Sequence, residues 1–194
     1  MVMLPPTLAR CESLGYKVFD NPKYDYDLNI VAIRAVPGLP NRFDDCISVH
    51  YLWNGTWRSH QWPATTDPGT YHLRNPGNVR GTAILAEGNY RKSHMIGKHR
   101  GVYDCLKQSG PVSVFRDPDR DALPERWGEP ESGLFGINIH KAGKKESDLV
   151  SKWSAGCCVF SRSDDFEEFM ELCRKQISFN GFDTFSLTLL NQWF

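Results

Sequence analysis

Residues 46–62 read CISVHYLWNGTWRSHQW. Two β-prone runs meet at Asn54-Gly55, a dipeptide suited to the left-handed φ that both central positions of a two-residue hairpin turn require. The stretch therefore predicts an antiparallel hairpin, 46–53 against 56–62. Outward from it the theme repeats. DLNIVAIRA at 27–35 alternates in the β manner until PGLP at 37–40 ends it, and 81–85, 88–96, 111–115, 134–140 and 182–190 supply further strands. TTDPGTYHL at 65–73 reads as a turn at Asp67-Pro68-Gly69 leading into a short strand, 103–108 as a short helix, and 116–132 as a loop rich in charge, Gly and Pro. One long helical pattern follows, capped by Ser163-Asp164-Asp165, with Phe166, Phe169, Met170, Leu172 and Cys173 on one face to about residue 177. Residues 1–22 read as a loosely packed lead-in with a helical turn at 7–14. The sum is a mostly β, β-rich α+β chain: a lead-in over 1–26 and a single domain over 27–194 with one main helix.

The 23 basic and 23 acidic residues of this 194-residue chain cancel. A neutral chain lacks the electrostatic footprint of a nucleic-acid binder, and no basic amphipathic stretch suits a membrane surface. Pro5-Pro6 interrupts any signal-peptide core and no window reaches transmembrane length, so no membrane association and cytoplasmic synthesis without a signal peptide are expected. The six cysteines, at 11, 46, 105, 157, 158 and 173, form no CxxC pair, which predicts reduced thiols without a zinc knuckle. His50, His60, His72, His94 and His99 lack metal-ligand spacing; neither metal nor cofactor is expected.

Chemistry concentrates at 136–160, GINIHKAGKKESDLVSKWSAGCCVF. His140 ends an apolar, β-branched run, and Cys157 follows seventeen residues later behind Ser154, Ala155 and Gly156. A thiol near its ordinary pKa of about 8.5 is mostly protonated at neutral pH and needs an imidazole to ionise it. Small residues let backbone N–H groups approach a substrate carbonyl closely, as an oxyanion site requires. Alternation turns Cys158 into the core.

His140, the Ser-x-Gly-Cys at 154–157 and the amphipathic helix behind them resemble the catalytic segment of the L,D-transpeptidase (YkuD-like) fold. The hairpin at NGTW followed by TTDPGTYHL is similar to that family's opening. The blocks TTDPG, IGKHRGVY, FRD and GINIH…WSAGC further resemble a divergent branch among phage and bacterial cell-wall proteins, the likeness covering roughly residues 44–190. The resemblance implies a β-sandwich or barrel domain acting on peptidoglycan stem peptides through a thioester. It casts Cys157 as nucleophile and His140 as base and then acid. Gly156 and Cys157 would offer N–H groups to the oxyanion, the Lys141 carbonyl would orient the imidazole, and Ser154 would brace the loop. Ala155 stands where the family often has His, and Val159 where it often has Arg, which leaves the acceptor open.

With no export signal, water is the favoured acceptor. That gives a hydrolase of the endolysin or L,D-carboxypeptidase kind, reaching the wall on lysis if phage-encoded. Cross-linking or D-amino-acid exchange is the second enzymatic reading, and an inactive cell-wall binding module the third. Peptidoglycan or a muropeptide is the expected partner of a monomer. His99, in KSHMIGKHRG, is a candidate for the cleft, and Arg116 and Asp117 for charged ends of a stem peptide. Asn138 shares a strand face with His140 and is a candidate for a substrate hydrogen bond, and Trp153 for shielding the Cys loop.

Overall fold

The computed structural model describes residues 3–143 and 145–193; the outer limits of the two expected segments, residues 1–2 and 194, lie outside them. The lead-in is not loose. Its helix α1 (Pro6–Ser13) buries Leu8 and Cys11 in a cluster with Val31, Ile33 and Leu190. β1 (Asn29–Arg34) then enters the barrel, followed by the hairpin of β2 (Asp45–Trp53) and β3 (Thr56–Thr65). Trp53 pairs with Thr56 across Asn54 and Gly55, both at positive φ, as a type I′ turn requires. Tyr51 and Trp62 are buried in the main apolar cluster, Trp53 packs against it, and Trp57 packs against the α1 cluster with one side on a surface cleft.

Residues 70–74 depart from the expected strand. They form a short helix, α2 (Thr70–Arg74), which buries Leu73. Gly69 starts it by abutting the chain at Ser151 so closely that a Cβ would lie 2.1 Å from the Ser151 carbonyl oxygen. β4 (Thr82–Leu85) and β5 (Gly88–His99) follow. The expected helix at 103–108 is instead strand β6 (Tyr103–Gln108), paired antiparallel with β5. Arg100 and Gly101, at φ 47° and 77°, make a tight turn closed by a Val102 N–H to His99 carbonyl bond of 2.9 Å, and that turn commits the next six residues to pairing.

β7 (Val112–Asp117) and β8 (Glu131–Gly133) join β4 in a small three-stranded sheet. Residues 134–138, expected as strand, are irregular: Gln108 Oε1 accepts the N–H groups of Phe135 and Ile137 at 3.0 and 2.9 Å, taking the place of a neighbouring strand. Only β9 (Ile139–Lys141) pairs, before β10 (Cys158–Phe160), α3 (Ser163–Asn180) and β11 (Thr184–Asn191). The eight strands of the main sheet close as a barrel in the order β1-β11-β5-β6-β9-β10-β3-β2. α3 inserts Phe166, Phe169 and Met170 into the core, where the Phe160 ring lies 5.6 and 5.1 Å from those of Phe166 and Phe169. Its N-cap is Arg162, which gives no side-chain cap. Ser163 begins the helix and accepts a bond from Lys141 Nζ, while Asp164 and Asp165 complement the dipole. Among the described residues no helix is long and apolar enough to cross a membrane.

One buried charge network props the barrel beside β10. Arg34, 2% exposed, donates to Thr66 Oγ1, the Thr66 carbonyl and the Leu85 carbonyl, and pairs with Asp67 at 3.1 Å. Asp45 accepts from both the N–H and the hydroxyl of Thr66, and Arg126 holds Asp67 through both carboxylate oxygens at 2.6 and 2.7 Å. Removing one member of such a network leaves its partners buried and unpaired. Arg34→Met should therefore lower unfolding stability by about 3 kcal/mol in urea titrations; a loss below about 1 kcal/mol would show the network to be dispensable.

Candidate active site

The parallel pairing of β9 with β10 sets Cys158 against Ile139 and Val159 against His140. Cys158 and Ile139 both face the core, so alternation turns Cys157, Asn138 and His140 to the other face. Cys157, one residue before β10, is level with Asn138, whose N–H donates to its Sγ at 3.4 Å; Sγ also lies 3.3 Å from the Gly136 carbonyl oxygen. His140 is two residues further on, about 6–7 Å along the strand. The structure thus delivers Cys157 and His140 to one face of two adjacent strands.

The turn before Cys157 is tied by Ser154. Its hydroxyl donates to the Cys157 carbonyl at 2.8 Å and accepts the Gly156 N–H at 3.1 Å. That second bond corrects one sequence assignment: the Gly156 N–H points back into its own turn and is not free for an oxyanion. The Cys157 N–H has no partner among the described residues and is the available donor. Gly156 is needed for shape instead. Its φ is 120°, and a Cβ there would stand 2.3 Å from the Ala83 carbonyl oxygen.

His140 Nδ1 lies 2.8 Å from the Lys141 carbonyl oxygen, which can only accept, so Nδ1 carries the proton and Nε2 the lone pair. The same carbonyl accepts the Tyr103 hydroxyl at 3.2 Å. Tyr103 was not a sequence candidate, because its role depends on β6 being a strand. The His99 ring stacks on His140 with centroids 4.1 Å apart, and His99 Nδ1 is buried without a partner among the described residues. His94 is a structural histidine: fully buried, it contacts Ser93 Oγ at 2.8 Å and the Ile137 carbonyl at 2.9 Å, fixing the approach to β9.

Burial, and then the neighbouring His99, push the His140 imidazole down to about 4. Burial raises the Cys157 thiol, against which the Asn138 N–H and the charge of Arg100 act more weakly. Both shifts favour neutral forms, so the resting pair is thiol and free imidazole.

Two clefts flank the turn. One, about 190 Å³, is lined by His99, Arg100, Tyr103, His140, Lys152 and Trp153. The other, about 320 Å³, reaches Ala155 and Arg116. Larger clefts of about 560 and 400 Å³ lie near Trp57 and Arg91, and neither is lined by a cysteine or histidine. Arg116 is engaged with Glu131 at 2.5 Å, with the Gly81 carbonyl and with the Phe135 ring. The Asn138 side-chain oxygen accepts the Gln108 N–H at 3.0 Å, a structural bond, and Asp117 is buried away from both clefts' linings. Of the remaining cations, Lys141 pairs with Glu167 at 2.7 Å, whereas Arg100 makes no ion pair among the described residues.

Comparison with family models, with curated proteins and with solved structures finds no match, so the meaning of the site rests on its own geometry.

A neutral resting pair has a kinetic signature. Alkylation of Cys157 by iodoacetamide should accelerate about tenfold per pH unit from pH 6 to 8, as for a thiol titrating above neutrality. A rate already on a plateau below pH 7 would mean a standing thiolate–imidazolium pair and contradict the electrostatics described here. Gly156→Ala should lower stability by about 1–3 kcal/mol through backbone strain, read by thermal melting; an unchanged melting point would show that the turn relaxes freely.

Proposed function

We propose that the chain is a cysteine acyl-transfer enzyme that hydrolyses peptidoglycan stem peptides, consistent with its sequence resemblance to the L,D-transpeptidase fold. The observation that carries the chemistry is the His140 tautomer: with Nδ1–H committed to the Lys141 carbonyl, Nε2 is a base on the face that presents the half-buried Cys157 thiol. With the resting pair neutral, the imidazole is free to accept a proton as general base. His140 Nε2 takes the thiol proton as Sγ attacks the amide carbon, and the Cys157 N–H stabilises the oxyanion. The C–N bond then breaks, the His140 proton passes to the leaving amine, and a thioester remains. Water attacks the thioester, giving its proton to His140, and the thiolate leaves and is reprotonated by His140.

The cleft supports this substrate class. Its rim carries Arg100 and Lys152 beside the aromatic surface of Trp153 and Tyr103, a combination suited to a short peptide bearing carboxylates. The second cleft, beside Ala155, gives a place for an amine acceptor, which keeps transpeptidation as the second reading.

Digestion of defined muropeptides with product masses tests the proposal. The parent should release products one water heavier in sum than the substrate; Cys157→Ala should lose at least about 10³-fold and His140→Gln about 10²-fold or more. Full cleavage by Cys157→Ala would end the assignment. Products formed only when an amine is added would transfer it to the transpeptidase reading.

A further inference from the structure

The loop that leaves β7 runs RDPDRDALPER over residues 116–126, and its acidic side chains converge rather than disperse. One carboxylate oxygen from each of Asp117, Asp119 and Glu125 lies within 4.8 Å of the other two. Three like charges so close repel strongly unless a proton or a cation lies among them; without a cation, a side-chain hydrogen bond with Asp119 and the neighbouring charges push Glu125 up to about 7. Among the described residues no cationic side chain fills that role. Asp117 is 1% exposed, and while its Oδ2 accepts the Glu125 N–H at 3.0 Å, its Oδ1 is buried with no partner among the described residues. The acidic side chain facing that carboxylate is Asp119. The arginines at the loop's two ends are turned elsewhere: Arg116 pairs with Glu131, and Arg126 with Asp67. No ion pair among the described residues reaches any of the three carboxylates.

We propose that Asp117, Asp119 and Glu125 form a binding site for a divalent cation, and that the ion is calcium. All three donors are hard carboxylate oxygens, which excludes a preference for the softer transition metals. Ca²⁺–oxygen bonds of about 2.3–2.6 Å put opposed ligands about 4.6–5.2 Å apart, so three oxygens all within 4.8 Å of one another can reach one calcium ion, whose irregular coordination suits a loop cluster better than the near-ideal octahedron that Mg²⁺ demands. Asp119 already uses Oδ1 to accept the Asp121 N–H at 3.0 Å, which leaves Oδ2 for the ion. The site would pin together the two ends of the loop, Asp117 at the end of β7 and Glu125 beside Arg126. Bound calcium thereby holds Arg126 against Asp67 and Arg116 at the cleft beside Ala155. This inference stands whether or not the chain cleaves peptidoglycan.

The test is calorimetric titration of CaCl₂ into the whole chain, stripped with EDTA and dialysed, with thermal melts at fixed ionic strength. The parent should bind one Ca²⁺ with Kd at or below about 1 mM, bind Mg²⁺ at least about tenfold more weakly, and melt about 5 °C or more higher at a hundredfold excess over Kd. Asp119→Asn keeps the Asp121 bond on an exposed side chain and removes only the charge; it should weaken Ca²⁺ binding at least about tenfold and melt in EDTA no lower than the parent. No binding heat and no melting shift in the parent up to about 10 mM Ca²⁺, well above the weakest calcium modules, would overturn the proposal. So would equal Ca²⁺ affinity in Asp119→Asn.

Discussion

The candidate site depends on two strands three residues long. The parallel pairing of β9 with β10 converts a seventeen-residue separation between His140 and Cys157 into neighbouring positions on one face, while Ile139 and Cys158 lock the opposite face into the core. A one-residue slip would exchange the faces, burying Cys157 and exposing Cys158. Register is therefore the quantity that the surrounding structure must hold.

Several constraints hold it, each from a different part of the chain. His94 and Gln108 fix the backbone approaching β9 from β5 and β6. On the other side, Val159 pairs with Thr65, next to the Thr66–Asp67 elbow that Arg34, Asp45 and Arg126 clamp. The Cys turn is pressed between these supports: Gly69 N–H donates to the Ser154 carbonyl at 2.9 Å, and Gly156 abuts Ala83. Small residues here are requirements of close backbone approach. The thiol gains its position from these contacts; in the proposed mechanism its activation comes from an imidazole kept neutral by burial and oriented by a carbonyl that Tyr103 also engages.

How much of this was legible in the sequence follows from the range of the forces involved. The Asn54-Gly55 hairpin and the apolar face of α3 are local patterns, and both are present. The 103–108 segment reads locally as helix, but its fate is set by the Arg100-Gly101 turn, whose first residue adopts a left-handed φ that its side chain does not advertise. The 70–74 helix has no local signal because Gly69 answers to Ser151, some eighty residues away. Candidate residues divide the same way. Spacing singles out Cys157 and His140 as candidates, and the fold sets them on one face, with Trp153, His99 and His140 lining one cleft. Asn138 and Gly156 carry structural bonds that only tertiary contacts reveal, and Arg34 and Tyr103 gave no local signal at all.

If Cys157 carries the acyl group, intact-protein and peptide mass spectrometry of the chain, quenched in acid within seconds of mixing with a tetrapeptide muropeptide, should show a mass increase equal to the acyl fragment, labile to hydroxylamine and mapping to Cys157. Substrate turnover with no such adduct, or with the adduct on Cys105 or another thiol, would rule out Cys157 as the nucleophile.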